Sequence, residues 1–192
     1  MKSFELVAAF STADAARQLA REANACLLAD ERESTAHLPF AALVYGVTDR
    51  LSAFVDAADV GVYLVCNRVI KSRPGSTTGE QPGVIGVFTL VANPDLGHAK
   101  ADAHWRDQHA PLALEVHVAM TNYRQFSIVH RFSGPEWDGF ALCGFDSLAD
   151  LRDKFFDTPE GEVAINQDVA RFADGRKSPR RILATETRFT AA

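Results

Sequence analysis

The stretches FAALVYGVTDRLSAFVDA (residues 40–57) and FALCGFDSLADLRDKFFD (residues 140–157) carry one pattern, a strand-like run followed by a capped helix. Each opens on an apolar, β-rich segment and crosses a polar pair suited to an N-cap, Thr48–Asp49 in one and Asp146–Ser147 in the other. Each then enters a short helix with apolar residues at helical spacing. A unit that recurs in this way makes two similarly built halves the first expectation, and what flanks each copy decides the fold.

Around the second copy, Val84–Val91 reads as a strand and Asn93, Pro94 and Asp95 as a turn. A helix then carries HWRDQHAPLALEVH, His104 to His117, before a strand at Tyr123–Phe132 and the turn SGPEWDG. After the quoted stretch come a helix at Glu160–Phe172, a basic turn and a last strand at Arg181–Phe189. The order β-α-β-β-α-β is that of a ferredoxin-like unit.

Around the first copy, Phe4–Phe10 and Val60–Ile70 read as strands, and Ser11 and Thr12 cap a helix drawn over Ala15–Ala29. ERESTAHLP, residues 31–39, is too polar and too short for the second strand that the pattern requires, so the first half reads as having lost it. KSRPGSTTGEQPG, Lys71 to Gly83, has two prolines, three glycines and no apolar residue, and reads as a linker. The expected organisation is an α+β chain with a degenerate ferredoxin-like half over residues 1–80 and a complete one over residues 81–192, related by internal duplication. A loose match between unrelated α+β segments is the competing reading.

Composition narrows the function. The 192 residues are 47% hydrophobic, enough for a sizeable core. A net charge of −5 leaves no basic stripe to neutralise phosphates, which argues against a nucleic-acid partner. The one cationic cluster, Arg176, Lys177, Arg180 and Arg181 around Ser178–Pro179, reads as a solvated loop. Cys26, Cys66 and Cys143 form no CxxC pair, as expected of buried thiols in a reducing cytoplasm. MKSFELVAAF lacks the apolar region of an export signal, and no run approaches the ~18 apolar residues of a membrane span. A cytoplasmic protein without a membrane partner is the expectation.

The stretch from His104 to His117 holds three of the chain's six histidines. On an α-helix His104 and His109 lie about 140° apart, so they do not converge as metal ligands, and no metal site is expected. Trp105 and His109 are four apart and share a face, which Leu112 continues. His104 falls on the polar side with Asp107 and Gln108. An imidazole at the end of an apolar face suits proton transfer near neutral pH, and it equally suits a core histidine at a helix C-terminus.

In the following strand Tyr123, Gln125, Ser127, Val129 and Arg131 point one way, and Arg124, Phe126, Ile128, His130 and Phe132 the other. The first set offers a phenol, an amide and a hydroxyl to orient a ligand. Alternation alone does not say which set lines a cavity.

HWRDQHAPLA, with Trp105, His109, Pro111 and Leu112, resembles the W-x-x-x-H-A-P-L helix of EthD-like proteins. Tyr123 and Gln125 resemble the family's Y-x-Q strand, Asp138–Gly139 its D-G, and Phe145–Asp146 its F-D. Pro159–Glu160, Asp168, the Arg171–Phe172–Asp174 group and the closing TETRF are also similar, so the resemblance covers about residues 84–189. It implies a dimeric α/β barrel of two ferredoxin-like units, closed either by two chains in a homodimer or by the two halves of one chain.

It further implies a cofactor-independent enzyme of lyase, cyclase or isomerase type, acting on a small hydrophobic aromatic or polyketide-like compound. His109 is then the acid or base, Tyr123 a hydrogen-bond donor to a developing enolate oxygen, and Trp105, Gln125, Leu112 and Ser127 the substrate contacts. A non-catalytic binding or accessory protein of a degradation pathway is the alternative, and haem binding a third.

Overall fold

The computed structural model describes residues 2–30, 32, 37–46, 48–75, 78–179 and 181–189, so most of the polar stretch 31–39 lies outside them. The first half runs β1 (Lys2–Phe10), α1 (Ala13–Glu22), β2 (Cys26–Ala29), β3 (Ala42–Gly46), α2 (Leu51–Ala57) and β4 (Gly61–Lys71). A short β5 (Gly79–Glu80) follows. The second half runs β6 (Val84–Leu90), α3 (Gly97–His104), a π-helical turn (Trp105–His109), α4 (Ala110–Val116), β7 (Asn122–Ser133), β8 (Gly139–Phe145), α5 (Leu148–Asp153), α6 (Pro159–Phe172) and β9 (Ile182–Arg188).

All pairings are antiparallel, in the order β2-β3-β1-β4-β7-β8-β6-β9, and β2 returns to pair with β9. Every strand but β5 therefore belongs to a closed eight-stranded barrel, formed within one chain at the β4–β7 and β2–β9 seams. Closure leaves no unpaired barrel edge, which removes the usual route to strand-on-strand aggregation. β4 and β7 carry register shifts near Tyr63, Val65 and Lys71, which let this long pair bend. Within each half the spatial order is the same: second, third, first, fourth strand.

Period-2 alternation sorts the side chains into an inner and an outer layer. Val7, Ala9, Leu43, Tyr63, Val65, Val87, Phe126, Phe140 and Ile182 meet inside the barrel, where Trp137 stacks on Tyr63. Leu6, Ala8 and Phe10 face outward and pack beneath α1 through Ala16, Leu19 and Ala20. On the other half Tyr123, Cys143 and Phe145 face outward toward α4 and α6.

Four sequence expectations are corrected. The helix drawn over Ala15–Ala29 ends at Glu22, and Asn24 takes a left-handed φ of 49° that turns the chain. Cys26–Ala29 then forms the second strand that the first half was read as lacking. Leu27, Leu28 and Ala29 are strong helix formers, and pairing with both β3 and β9 overrides that preference. α5 stops at Asp153, which frees Phe155 and Phe156 to turn inward. The Lys71–Gly83 linker is not wholly irregular, because Gly79 and Glu80 extend the sheet alongside β9.

Candidate active site

The stretch from His104 to His117 does not follow α-helical geometry throughout. Pro111 has no N–H to return to the carbonyl four residues before it, so an uninterrupted α-helical ladder is impossible here. The chain widens into the π-turn at Trp105–His109, and the Ala110 N–H bonds to the Trp105 carbonyl five residues back. That carbonyl also accepts from Gln125 Nε2 at 2.9 Å, which ties the turn to β7. Bonding between residues five apart brings side chains five apart onto one side.

His104 and His109 therefore converge, contrary to the separation expected of an α-helix. His104 Nε2 lies 2.7 Å from Asp168 Oδ1, and His109 Nδ1 lies 2.9 Å from Asp168 Oδ2. Asp168 sits on α6 and is buried, and Phe172 one turn later packs against both imidazoles. Asp168 thus serves the two histidines together. A carboxylate only accepts, so His109 carries its proton on Nδ1 and keeps the lone pair of Nε2. Burial pushes the His109 pKa below its ordinary value, against the opposing pull of Asp168.

His109 lines a 380 Å³ cavity between the outer face of β6, β7 and β8 and the layer of α4 and α6. Trp105, His109, Ala113 and His117, four residues apart, form one wall. Phe88, Phe155, Phe156, Ile165, Val169 and Phe172 make most of the remainder apolar. Cys143 also lines the cavity, but burial pushes its thiol up to about 12, so it is no thiolate nucleophile at neutral pH. His117 Nδ1 donates to the Phe155 carbonyl at 2.5 Å, the fixed backbone partner expected of a structural imidazole.

The face of β7 that serves the site is the one bearing the phenol. Tyr123 lines the cavity, and its oxygen accepts from Trp105 Nε1 at 3.2 Å and from Gln125 Nε2 at 3.0 Å. The Trp105 carbonyl fixes the Gln125 amide with its nitrogen inward, so both contacts on the phenol come from donors. The Tyr123 hydrogen is thereby left for a further acceptor. Burial holds the phenol protonated by raising its pKa far above the ordinary value.

Three expected substrate contacts do not line this cavity. Gln125 is fully buried beneath Tyr123 and acts as its support. Ser127 is buried on the same face, where it hydrogen-bonds Asp102, the partner of Arg68. Leu112 packs at the edge of the α4 cluster, and Ala113 takes its place in the wall because the π-turn shifts the helix face by one residue. Asp138 and Gly139, read as turn residues, do more: Asp138 accepts from His98 and from the Ala92 N–H, and Gly139 lies flat beneath Trp105.

Among the described residues no group of three or more His, Cys, Asp or Glu is arranged to hold a metal ion, and no helix is long and apolar enough to cross a membrane.

The architecture is that of an antiparallel α/β barrel with a cavity beneath its helices, and sequence comparison bears on the segment that builds most of that cavity. Residues 93–176 match the family model of the EthD domain. No curated protein matches the sequence. Among solved structures, an anthrone oxidase-like protein is similar with a TM-score of 0.56 at 14% identity, covering 100% of this chain and 96% of its own. A Fusobacterium nucleatum protein named as a candidate monooxygenase is similar with a TM-score of 0.52 at 8% identity, covering 100% of this chain and 95% of its own. At such identities the likeness is one of fold.

Proposed function

We propose that the chain is a cofactor-independent enzyme of lyase, cyclase or isomerase type that moves a proton on a small hydrophobic aromatic or polyketide-like ketone. The observation that carries this reading is the His109–Asp168 pair in the wall of an apolar cavity that also holds a buried, neutral phenol with an uncommitted hydrogen. His109 Nε2 takes a proton from an acidic C–H next to the ketone, and the C–H electron pair becomes an enolate. Tyr123 donates its hydrogen bond to the enolate oxygen. Return of the proton from Nε2 to another carbon completes an isomerisation; its delivery to a leaving hydroxyl completes a loss of water.

Asp168 holds the tautomer and favours the imidazolium that forms, the role a carboxylate plays beside a catalytic histidine. The competing reading is a binding protein without chemistry, in which His109 is structural. A structural histidine is expected to be held by a backbone carbonyl, as His117 is, and the bond of His109 to Asp168 instead favours the acid–base role.

The two halves are read as a duplication in which the second keeps the site. Their common strand order supports this, as does the fall of residues 40–57 and 140–157 on corresponding elements, β3–α2 and β8–α5.

The name of the anthrone oxidase-like neighbour fits the substrate class, because anthrone is a tricyclic ketone that yields an aromatic enolate on losing a proton. The test is deuterium exchange into anthrone and 1-tetralone from heavy water, followed by NMR, with oxygen uptake read alongside. Exchange above background that disappears in His109→Ala is expected. Equal exchange by wild type and variant overturns the proposal, and oxygen uptake would extend it to oxidation of the same enolate.

A further inference from the structure

Arg181 was read as part of a solvated basic loop, yet it lines the same cavity as His109. It immediately precedes β9 and, by strand alternation, shares the outward face with Leu183 rather than the barrel side with Ile182 and Ala184. Its guanidinium lies over two rings of the wall, 5.5 Å from the Phe88 centroid and 5.8 Å from that of Phe155. Among the described residues no carboxylate comes within ion-pairing distance of it. Asp153, Asp157 and Glu162 line a neighbouring groove that Arg181 also borders, but none forms an ion pair with it.

The charged neighbours that bear on it, Arg32 and Arg152, have the same sign. The other arginines beside buried groups are answered differently: Arg68 is forked onto Asp102, and Arg188 bonds Glu186. A partly buried cation is ordinarily paired, because removal from water is costly without a compensating charge. Burial indeed pulls the Arg181 pKa below its ordinary value; the buried Cys143 thiol acts against this, and no carboxylate does.

We propose that Arg181 is the specificity-determining residue of the cavity and that the ligand carries a carboxylate on its aromatic body. This deepens the reading given above and rests on it for the location of the ligand. Phe88 and Phe155 hold the guanidinium plane and offer flat contact to the ligand's ring, while the guanidinium fork receives the two carboxylate oxygens. The acid–base pair of His109 and Asp168 then works on a part of the molecule separate from the charge.

The test compares 2-naphthoate with methyl 2-naphthoate, which have the same aromatic body with and without the charge. Dissociation constants are measured by calorimetry on wild type, Arg181→Gln, Arg181→Lys and Ile165→Trp, the last filling the cavity. Wild type is expected to prefer the acid by about tenfold or more, Arg181→Gln to lose that preference, and Arg181→Lys to keep part of it. Melting temperature should not fall in Arg181→Gln, whereas a merely structural arginine would lower it.

If the ester binds as tightly as the acid and Ile165→Trp blocks both, the carboxylate proposal is overturned while the cavity stands. If Arg181→Gln leaves the preference for the acid intact, the proposal is likewise overturned. If neither compound binds wild type, the carboxylate proposal is overturned, while the reading on which it rests stands or falls with the exchange of anthrone and 1-tetralone.

Discussion

Replacing Asp168 by asparagine keeps the shape of the side chain and removes what the two imidazoles need from it. The carboxylate presents an acceptor to each, at 2.7 Å to His104 and 2.9 Å to His109. A carboxamide offers one acceptor and one donor. If its NH₂ group faces His109, the ring must accept at Nδ1, the proton moves to Nε2, and the base is lost. If its oxygen faces His109, the tautomer survives, but the negative charge that raises the imidazole pKa is gone. The base is weaker in either orientation.

Loss of a positioned general base costs about 100- to 10,000-fold in rate. One charge-assisted hydrogen bond is worth about 1.5–3 kcal/mol, so the melting temperature should fall by about 3–12 °C for a chain of this size. The assay is deuterium exchange into 1-tetralone across pH, normalised to folded protein, together with ¹⁵N shifts that report the His109 tautomer. Wild type should show the Nδ1–H form. The variant should show either the opposite tautomer or an acid limb moved to lower pH, with slower exchange in both cases. Unchanged exchange per folded molecule, with an unchanged tautomer and pH midpoint, refutes the assignment of Asp168 as the residue that positions the base.

Further outcomes follow from the same geometry. Tyr123→Phe strips the partner from the Trp105 Nε1–H and leaves a buried donor unsatisfied, so unfolding in urea should register a loss of about 1–3 kcal/mol, along with slower exchange of the probe ketone. Gly139→Ala would place a Cβ 2.7 Å from Trp105 Cζ3 and 2.8 Å from the Phe126 carbonyl. It should cost about 1–3 kcal/mol and weaken probe binding by displacing the indole, whereas a neutral result would mean that Trp105 is not held there.

Both His109 and His117 have pKa values depressed by burial, so the stability they confer is complete above the unfolded value near 6.5 and is lost as pH falls from there toward the folded values. His98, raised by Asp138, has the opposite sign: its contribution is complete below 6.5 and fades as pH rises through its folded value. Melting curves from pH 5 to 8 should therefore fall on the acid side, and His117→Gln should flatten that fall. An acid limb unaffected by the substitution would contradict the burial argument.

Most strands were legible because outward and inward faces differ in the sequence itself. VIGVFTLV and YRQFSIVHRF alternate, and the structure places Phe126 and Ile128 in the barrel and Tyr123 and Gln125 beneath the helices, as period 2 requires. β2 was not legible. Its four residues, CLLA, follow an alanine- and leucine-rich helix without a proline or glycine between, and only the Asn at position 24 hints at the turn. What makes CLLA a strand is the presence of β3 and β9 on either side, and β9 lies some 150 residues further along the chain.

The site was half legible, and one local break in helical geometry explains much of the missing half. Spacing placed Trp105 with His109 correctly, since four residues suit both helical forms well enough to keep a shared face. It separated His104 from His109 because 100° per residue was carried through a segment that closes its hydrogen bonds over five. The signal was present in Pro111, which rules out one bond of the regular ladder; what it could not reveal is whether the chain would kink, end or widen. Widening lets one carboxylate on a distant helix, Asp168, answer two imidazoles, and it turns the Trp105 carbonyl toward Gln125. A π-turn is unfavourable by itself, and here side-chain bonds to α6 and β7 hold it in place. Arg181 was misjudged for a related reason: sequence composition places it among loop cations, while strand parity at β9 turns it, and not its neighbour Ile182, into the cavity wall. Both errors fall where the residues proposed to meet the ligand stand, because a local rule was extended past the point at which tertiary contacts take over.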